Sequence, residues 1–160
     1  MNELVVSVWD PSDRSFQPRG KQVNNPHGIF YTPVTGIWQT VWLEQVPARH
    51  VDDLDFTCDI RNGTLRVTAK LSGTPVADER IHVTASINGG EVANATGTAD
   101  GVQLKIPEPK LWSPDAPNLY DLNVELIDAS GKTIDSVKSY AALREFGKTR
   151  DAKGNLRFTL

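Results

Sequence analysis

Hydrophobic and polar residues alternate along most of the chain in short runs that end at turn residues. These runs recur at intervals of roughly eight to twelve residues, as in proteins built from many short strands. The three-to-four-residue spacing of an amphipathic helix is almost absent. The pattern therefore predicts an all-β protein of the sandwich class.

The clearest alternation lies in the second part of the chain, where Leu65, Val67, Ala69 and Leu71 place four apolar side chains on one face of a strand. Asn62-Gly63 before it predicts a two-residue type I′ turn, in which both residues have positive φ. Seven strands in about ninety residues match an immunoglobulin-like sandwich. The predicted strands are Leu54–Ile60, Leu65–Leu71, Ile81–Ile87, Val92–Thr98, Val102–Ile106, Leu119–Ile127 and Ile134–Tyr140.

Strands are also predicted near both ends of the chain, at Leu4–Trp9, Gly36–Val46 and Leu156–Leu160. The last of these has no partner that the sequence identifies. The polar and charged stretch Ala48–Asp53 follows Pro47 and interrupts the strand pattern, so we expect a domain boundary there.

Trp38 and Trp42 share one face of the predicted strand Gly36–Val46, and both faces of that strand are half apolar. A strand covered on both sides lies inside a sandwich or between domains. We therefore favour a core or interface role over a sugar-stacking platform, and we expect self-association through Trp38 and Trp42 if their covering surface is missing.

Charge and composition exclude several classes of partner. The net charge of −3, with scattered Lys and Arg, gives no reason to bind nucleic acid. No apolar run approaches the roughly 18 residues of a membrane-spanning helix, so no membrane partner is expected. Cys58 is the only cysteine, which rules out a disulfide within the chain.

Residues for catalysis do not cluster in the sequence. His27, His50 and His82 are far apart and lack the neighbouring ligands of a metal site. No Gly-x-Ser-x-Gly motif is present, and the acidic residues fall mainly in turns or on outward-facing strand positions. We therefore predict no catalytic residue, no cofactor and no metal in this chain.

Three motifs resemble segments of glycoside hydrolase family 2. LWSPDAPNLYDLNVEL, residues 111–126, is similar to the segment that closes the family's immunoglobulin-like domain. Gly36-Ile37-Trp38 with Val41 and Leu43 resembles the last strand of its sugar-binding jelly-roll. Tyr140–Glu145 is similar to the family's Phe-Gly-x-Arg exit, although Ala142 replaces the usual Gly.

The resemblance implies an immunoglobulin-like β-sandwich preceded by partial jelly-roll strands. Residues 1–47 would be the C-terminal part of the jelly-roll, 48–145 the sandwich, and 146–160 the lead-in to a (β/α)₈ barrel that carries the catalytic glutamates. The parent would be a retaining, β-galactosidase-like enzyme. The implied partners are the catalytic barrel of the same polypeptide and, through the parent enzyme, a carbohydrate substrate.

Two other functions fit the same residues. A stand-alone carbohydrate-binding module would use Trp38, Trp42 or Trp112 as stacking surfaces. An immunoglobulin-like scaffold or adhesion domain would need no barrel, so a reading frame that continues into one would exclude it.

Overall fold

The computed structural model describes residues 3–160, and in this part of the chain every regular element is a β-strand. The predicted all-β fold is therefore confirmed, and residues 3–160 include no helix that could span a membrane. The strands are β1 (His50–Asp59), β2 (Thr64–Ser72), β3 (Arg80–Ile87), β4 (Gly90–Gly97), β5 (Val102–Lys105), β6 (Trp112–Ser113), β7 (Ala116–Pro117), β8 (Tyr120–Ile127), β9 (Thr133–Ala141), β10 (Gly147–Arg150) and β11 (Leu156–Thr159).

The chain divides into two compact units, an N-terminal unit that ends at Glu44 and a sandwich unit, Gln45–Leu160. In the described part of the N-terminal unit the backbone forms one isolated bridge, Gln22 with Tyr31, and no strand. The strands predicted at Leu4–Trp9 and Gly36–Val46 are therefore wrong. Neither segment has a hydrogen-bonded neighbour among residues 3–160, and a strand exists only when a neighbour satisfies its backbone.

Seven strands of the sandwich unit form two antiparallel sheets. One sheet has the order β1-β2-β5 and the other β4-β3-β8-β9. In the larger sheet β3 is central and pairs with β8 along its whole length, from Arg80 opposite Ile127 to Ser86 opposite Asp121. Edge strands β1 and β9 lie next to each other, where the Val51 amide donates to Asp135 at 2.9 Å.

The core lies between the inner faces of these two sheets. Every second residue of β2, β3, β5 and β8 points inward, as the alternating pattern predicts. The inward-pointing side chains are almost completely removed from water, so burial of their apolar surface stabilises the sandwich. The largest fully buried side chains are those of Leu65, Val67, Ile81, Val83, Val102, Leu104, Ile106, Tyr120, Leu122, Val124, Leu126 and Leu143.

Two local predictions differ from the structure. Four residues, not two, join β1 to β2. The Asp59 side chain at the end of β1 accepts the amides of Arg61 and Asn62. Of the two residues predicted to have positive φ, only Gly63 does. The predicted strand at Leu156–Leu160 does have a partner. It pairs as β11 with β10, whose charged sequence carries no strand pattern.

An ion pair fixes the segment that leads into β1. The Arg49 guanidinium forms a two-pronged salt bridge with Glu79 in the loop before β3 and also donates to the Gly73 carbonyl at 3.0 Å. Both side chains are largely buried. The hydrogen bonds from Arg49 lower the pKa of Glu79, while burial opposes this shift. We call this pair the Arg49 clasp.

We expect Arg49→Ala to lower the free energy of unfolding by about 1.5–3 kcal/mol at pH 7, because a charged hydrogen-bond partner is lost from a largely buried site. A carboxylate with a lowered native pKa stabilises the fold above its unfolded pKa, about 4.3 for Glu, and loses this contribution as the pH falls through the native value. The difference between wild type and variant should therefore shrink below about pH 4.

Lys70→Ala is the matched control, since it removes a second ion pair, Lys70 with Asp52, in which both side chains are exposed. Urea unfolding of both variants between pH 3 and 7 measures the two contributions. If both substitutions lowered the free energy of unfolding equally, or if the Arg49→Ala effect did not depend on pH, the stabilising role of the Arg49 clasp would be contradicted.

Candidate functional site

The segment Lys110–Tyr120 forms a tight corner at one end of the sandwich. The Trp112 amide donates to the Leu143 carbonyl at 2.9 Å, and the Asn118 side chain donates to the Leu111 carbonyl at 2.9 Å. The buried Tyr120 hydroxyl accepts the Lys110 amide at 2.7 Å. These bonds hold the half-buried Trp112 beside the strand-like segment that follows β9.

Arg144 contacts two aromatic rings at this corner. Its guanidinium carbon is 5.0 Å from the centre of the Trp112 ring and 4.8 Å from that of Phe146, within the range of cation–π contacts. The Cys58 thiol donates to the Arg144 carbonyl at 3.0 Å, which fixes the backbone next to β1. Among residues 3–160 no Asp or Glu forms an ion pair with Arg144.

Exposed apolar side chains surround this cation and line a cleft of about 460 Å³. Phe56 pairs with the buried Val67 and so faces inward, but it lies on edge strand β1 and 36% of it remains exposed. Tyr140 is 65% and Phe146 69% exposed. We call this surface the Arg144 face; it comprises Phe56, Trp112, Leu119, Tyr140, Arg144 and Phe146.

The Arg144 face has the chemistry of a docking surface. The guanidinium contacts two aromatic rings, and the N–H groups along its edge match the geometry of a carboxylate. The apolar rim would be covered by a complementary protein surface. Residues 3–160 contain no group of three or more His, Cys, Asp or Glu side chains that could hold a metal ion.

The three histidines each make local hydrogen bonds. His27 and His50 contact backbone carbonyls of Asn25 and Pro47 at 2.9 Å, and His82 contacts the Thr96 hydroxyl at 2.8 Å. Each ring nitrogen that makes such a bond is thereby satisfied, which accords with a structural role.

The tryptophans considered in the sequence occupy different surroundings. Trp38 and Trp42 belong to the N-terminal unit and are 87% and 71% exposed, whereas Trp112 is half-buried in the corner. Sequence reasoning missed that Arg144 completes a stack with Trp112, because the two residues lie in separate motifs that only the fold brings together.

The N-terminal unit has a cleft of its own, of about 660 Å³. Trp38 lines it together with Asp10, Arg19 and Gln22. The Asp10 carboxylate accepts the Ser12 amide at 2.7 Å. An aromatic ring beside polar side chains is the composition expected of a small polar-ligand site.

Comparisons with known proteins agree with the sandwich. The model of the family "Glycosyl hydrolases family 2" matches residues 49–144, more than half of the chain. A putative beta-glucuronidase of Formosa agariphila is 28% identical over 91% of the chain, and a beta-galactosidase of Thermoanaerobacter pseudethanolicus is 25% identical over 95%. A beta-glycosidase crystal structure from Bacteroides vulgatus superposes on 69% of the chain with a TM-score of 0.58 and 18% identity.

The chain spans only 18% and 21% of the lengths of the two relatives, and 15% of the crystallised glycosidase. At 18% sequence identity, the similarity to the crystallised glycosidase shows the fold alone. The family match covers β1 to β9 and ends at Arg144, so it coincides with the sandwich and reaches the Arg144 face. The chain belongs to glycosyl hydrolase family 2, and the part that matches the family, residues 49–144, forms the all-β sandwich.

Proposed function

We propose that this chain is a structural part of a family 2 enzyme that hydrolyses β-linked glycosides, in the manner of a β-galactosidase. Residues 1–47 are the C-terminal part of a sugar-binding jelly-roll, 48–145 the immunoglobulin-like domain, and 146–160 the lead-in to a catalytic (β/α)₈ barrel. The observation that carries the proposal is the coincidence of the family match with the sandwich strands, in a chain about a fifth as long as its relatives.

The proposed task of the sandwich is to hold the other domains in place. The Arg144 face supports this role, since it offers an unpaired cation within exposed aromatic surface. In the proposal the barrel of the same polypeptide covers this face. Carbohydrate substrate then meets the parent enzyme at the barrel, where the family's glutamates lie, and no residue of this chain takes part in bond cleavage.

The β10–β11 hairpin is the proposed lead-in. Its side chains Leu156 and Phe158 are 58% and 87% exposed, and the Lys148 ammonium lies 5.5 Å from the centre of the Phe158 ring. A hairpin with this much exposed apolar surface suits a connection that packs against a following domain.

Reading the gene past the codon for Leu160 tests the proposal directly. We expect the frame to continue into a barrel with two glutamates at the carboxyl ends of its strands. A stop codon after Leu160, or a following domain of another class, would refute it. Either result would favour an independent scaffold or adhesion domain.

A carbohydrate-binding module is the second candidate function, favoured by the cleft beside Trp38. It predicts that the 160-residue chain binds sugars without a barrel. Isothermal titration with galactosides and β-linked oligosaccharides distinguishes the two functions. Under our proposal we expect no heat of binding up to millimolar ligand.

Two variants make the titration decisive. If wild type binds a sugar, Trp38→Ala should abolish the signal. Trp42→Ala is its control, because Trp42 is also largely exposed but does not line the cleft. Binding that depends on Trp38 would establish the module, whereas a flat titration removes it.

A further inference from the structure

Two dipeptides of the chain join an asparagine directly to a glycine, at Asn62-Gly63 and at Asn88-Gly89. Both lie in hairpin loops of the sandwich, the first between β1 and β2 and the second between β3 and β4. Every other asparagine is followed by a residue with a side chain. A glycine leaves the backbone nitrogen after the asparagine unshielded, because it has no Cβ.

An unshielded backbone nitrogen can attack the asparagine side chain that precedes it. The nitrogen gives up its proton and bonds to the asparagine Cγ, and the side-chain nitrogen leaves as ammonia, so that a cyclic imide remains. Water then adds to either carbonyl of the imide and opens the ring. The products are aspartate and isoaspartate, and in isoaspartate the backbone runs through the former side chain and is longer by a methylene group.

The loop between β1 and β2 holds Asn62 back from this reaction. The Asn62 side-chain amide donates to the Asp59 carboxylate at 2.7 Å, and the Asn62 backbone amide donates to the same carboxylate at 3.0 Å. The Lys105 ammonium donates to the Asn62 carbonyl. The Ile106 amide donates to the Gly63 carbonyl at 2.9 Å. Several of these bonds must break before the Asn62 side chain can turn toward the Gly63 nitrogen.

Burial and charge add to the protection of Asn62. Gly63 is buried, and a Cβ placed on it would lie 3.0 Å from the Ile106 carbonyl oxygen and 3.2 Å from the Pro109 side chain, so little room is left for an imide ring. The hydrogen bonds from Asn62 lower the pKa of Asp59, which is therefore charged at neutral pH. A negative charge next to the reacting groups opposes removal of the Gly63 amide proton, which the reaction requires.

The loop between β3 and β4 leaves Asn88 open. Asn88 and Gly89 have φ values of 53° and 77° and form a two-residue turn between Ile87 and Gly90, which pair with each other. Among residues 3–160 no hydrogen bond holds the Asn88 side chain or the Gly89 amide. Both residues are exposed, and apart from the chain neighbours no heavy atom lies within 4 Å of a Cβ placed on Gly89.

We propose that Asn88 is a site of spontaneous deamidation, at which the β3–β4 hairpin acquires aspartate and isoaspartate while Asn62 stays intact. The turn leads into β4, an edge strand of the larger sheet. Hairpin ends of this kind open locally at a much smaller cost in free energy than global unfolding. Each opening lets the Asn88 side chain reach the Gly89 nitrogen while the core remains folded.

The modification changes the larger sheet in two ways. Either product adds a negative charge to a chain whose net charge is −3. Isoaspartate also lengthens the backbone inside a turn of only two residues, which disturbs the pairing of Ile87 with Gly90 and so loosens β4 from β3. This inference goes beyond the proposed function, and its test uses the 160-residue chain.

Peptide mapping by mass spectrometry, with enzymatic methylation to detect isoaspartate, tests the assignment. One sample of the folded chain is kept for several weeks at mildly alkaline pH and body temperature, and a second sample is kept under the same conditions in guanidinium chloride. In the folded chain we expect Asn88 to react at least about tenfold faster than Asn62, the size of effect that a hydrogen bond to a charged group produces. In guanidinium chloride both sites should react at similar rates, because both are Asn-Gly.

Two variants separate the two loops. Asn88→Gln should remove the modification at the β3–β4 turn, because the longer side chain forms its imide far more slowly. Asp59→Ala removes the protecting carboxylate and should raise the rate at Asn62 at least about tenfold. Circular dichroism checks that this variant keeps its strands, and the comparison of Asn62 with Asn88 in wild type needs no variant at all.

Urea unfolding measures the consequence for the sheet. The isolated isoaspartyl form is compared with Asn88→Asp, which carries the same charge on a backbone of normal length. We expect the isoaspartyl form to unfold at the lower urea concentration. Equal midpoints would refute the proposed effect on the pairing of β4 with β3.

Three results would overturn the assignment itself. The first is an Asn62 that reacts as fast as Asn88 in the folded chain, and the second is an Asn88 that reacts only in guanidinium chloride. The third is a difference between the two sites that persists unchanged in guanidinium chloride, because it would then arise from the neighbouring sequence and not from the fold. The reading frame beyond Leu160 bears on the proposed function alone, so failure of one idea is distinguishable from failure of the other.

Discussion

Burial of apolar side chains between two sheets is the interaction on which the rest of this structure depends. Val83 and Val124 face each other across the β3–β8 ladder with no measurable exposure, and Leu104 from the opposite sheet is equally buried. Without that burial, short antiparallel strands would not outweigh the entropy of ordering the chain. The corner at Trp112, the Arg49 clasp and the Arg144 face are all attached to strands that this core holds in place.

A closed core leaves function to the surface. Within residues 3–160 no group of His, Cys, Asp or Glu side chains could hold a metal ion, while aromatic side chains lie exposed around Arg144 and near Trp38. A soluble protein rarely exposes this much contiguous apolar surface unless another surface covers it. The two exposed regions differ in kind: one is a cleft around a cation, and the other is a bent segment whose backbone has no hydrogen-bonded neighbour among residues 3–160.

The sandwich strands could be predicted because the alternation of apolar and polar residues within each strand, such as that from Leu65 to Leu71, determines which face is buried. The Gly36–Val46 strand was not, although its pattern is as clear, because a strand also needs a partner and no described residue supplies one. The stack of Arg144 on Trp112 depends on a contact between residues 32 positions apart, which no single-sequence pattern encodes. Strand β10, the partner of the predicted strand β11, was missed because Lys148 to Arg150 is too polar to signal a strand.

Amide hydrogen exchange of the 160-residue chain tests the central claim that the sandwich core is stable while residues 36–46 have no hydrogen-bonded neighbour among residues 3–160. We expect the amides of β3 and β8 to exchange only through global unfolding, and those of residues 36–46 to exchange almost as fast as an unfolded peptide. Equal protection of the two regions, whether both slow or both fast, would contradict the account.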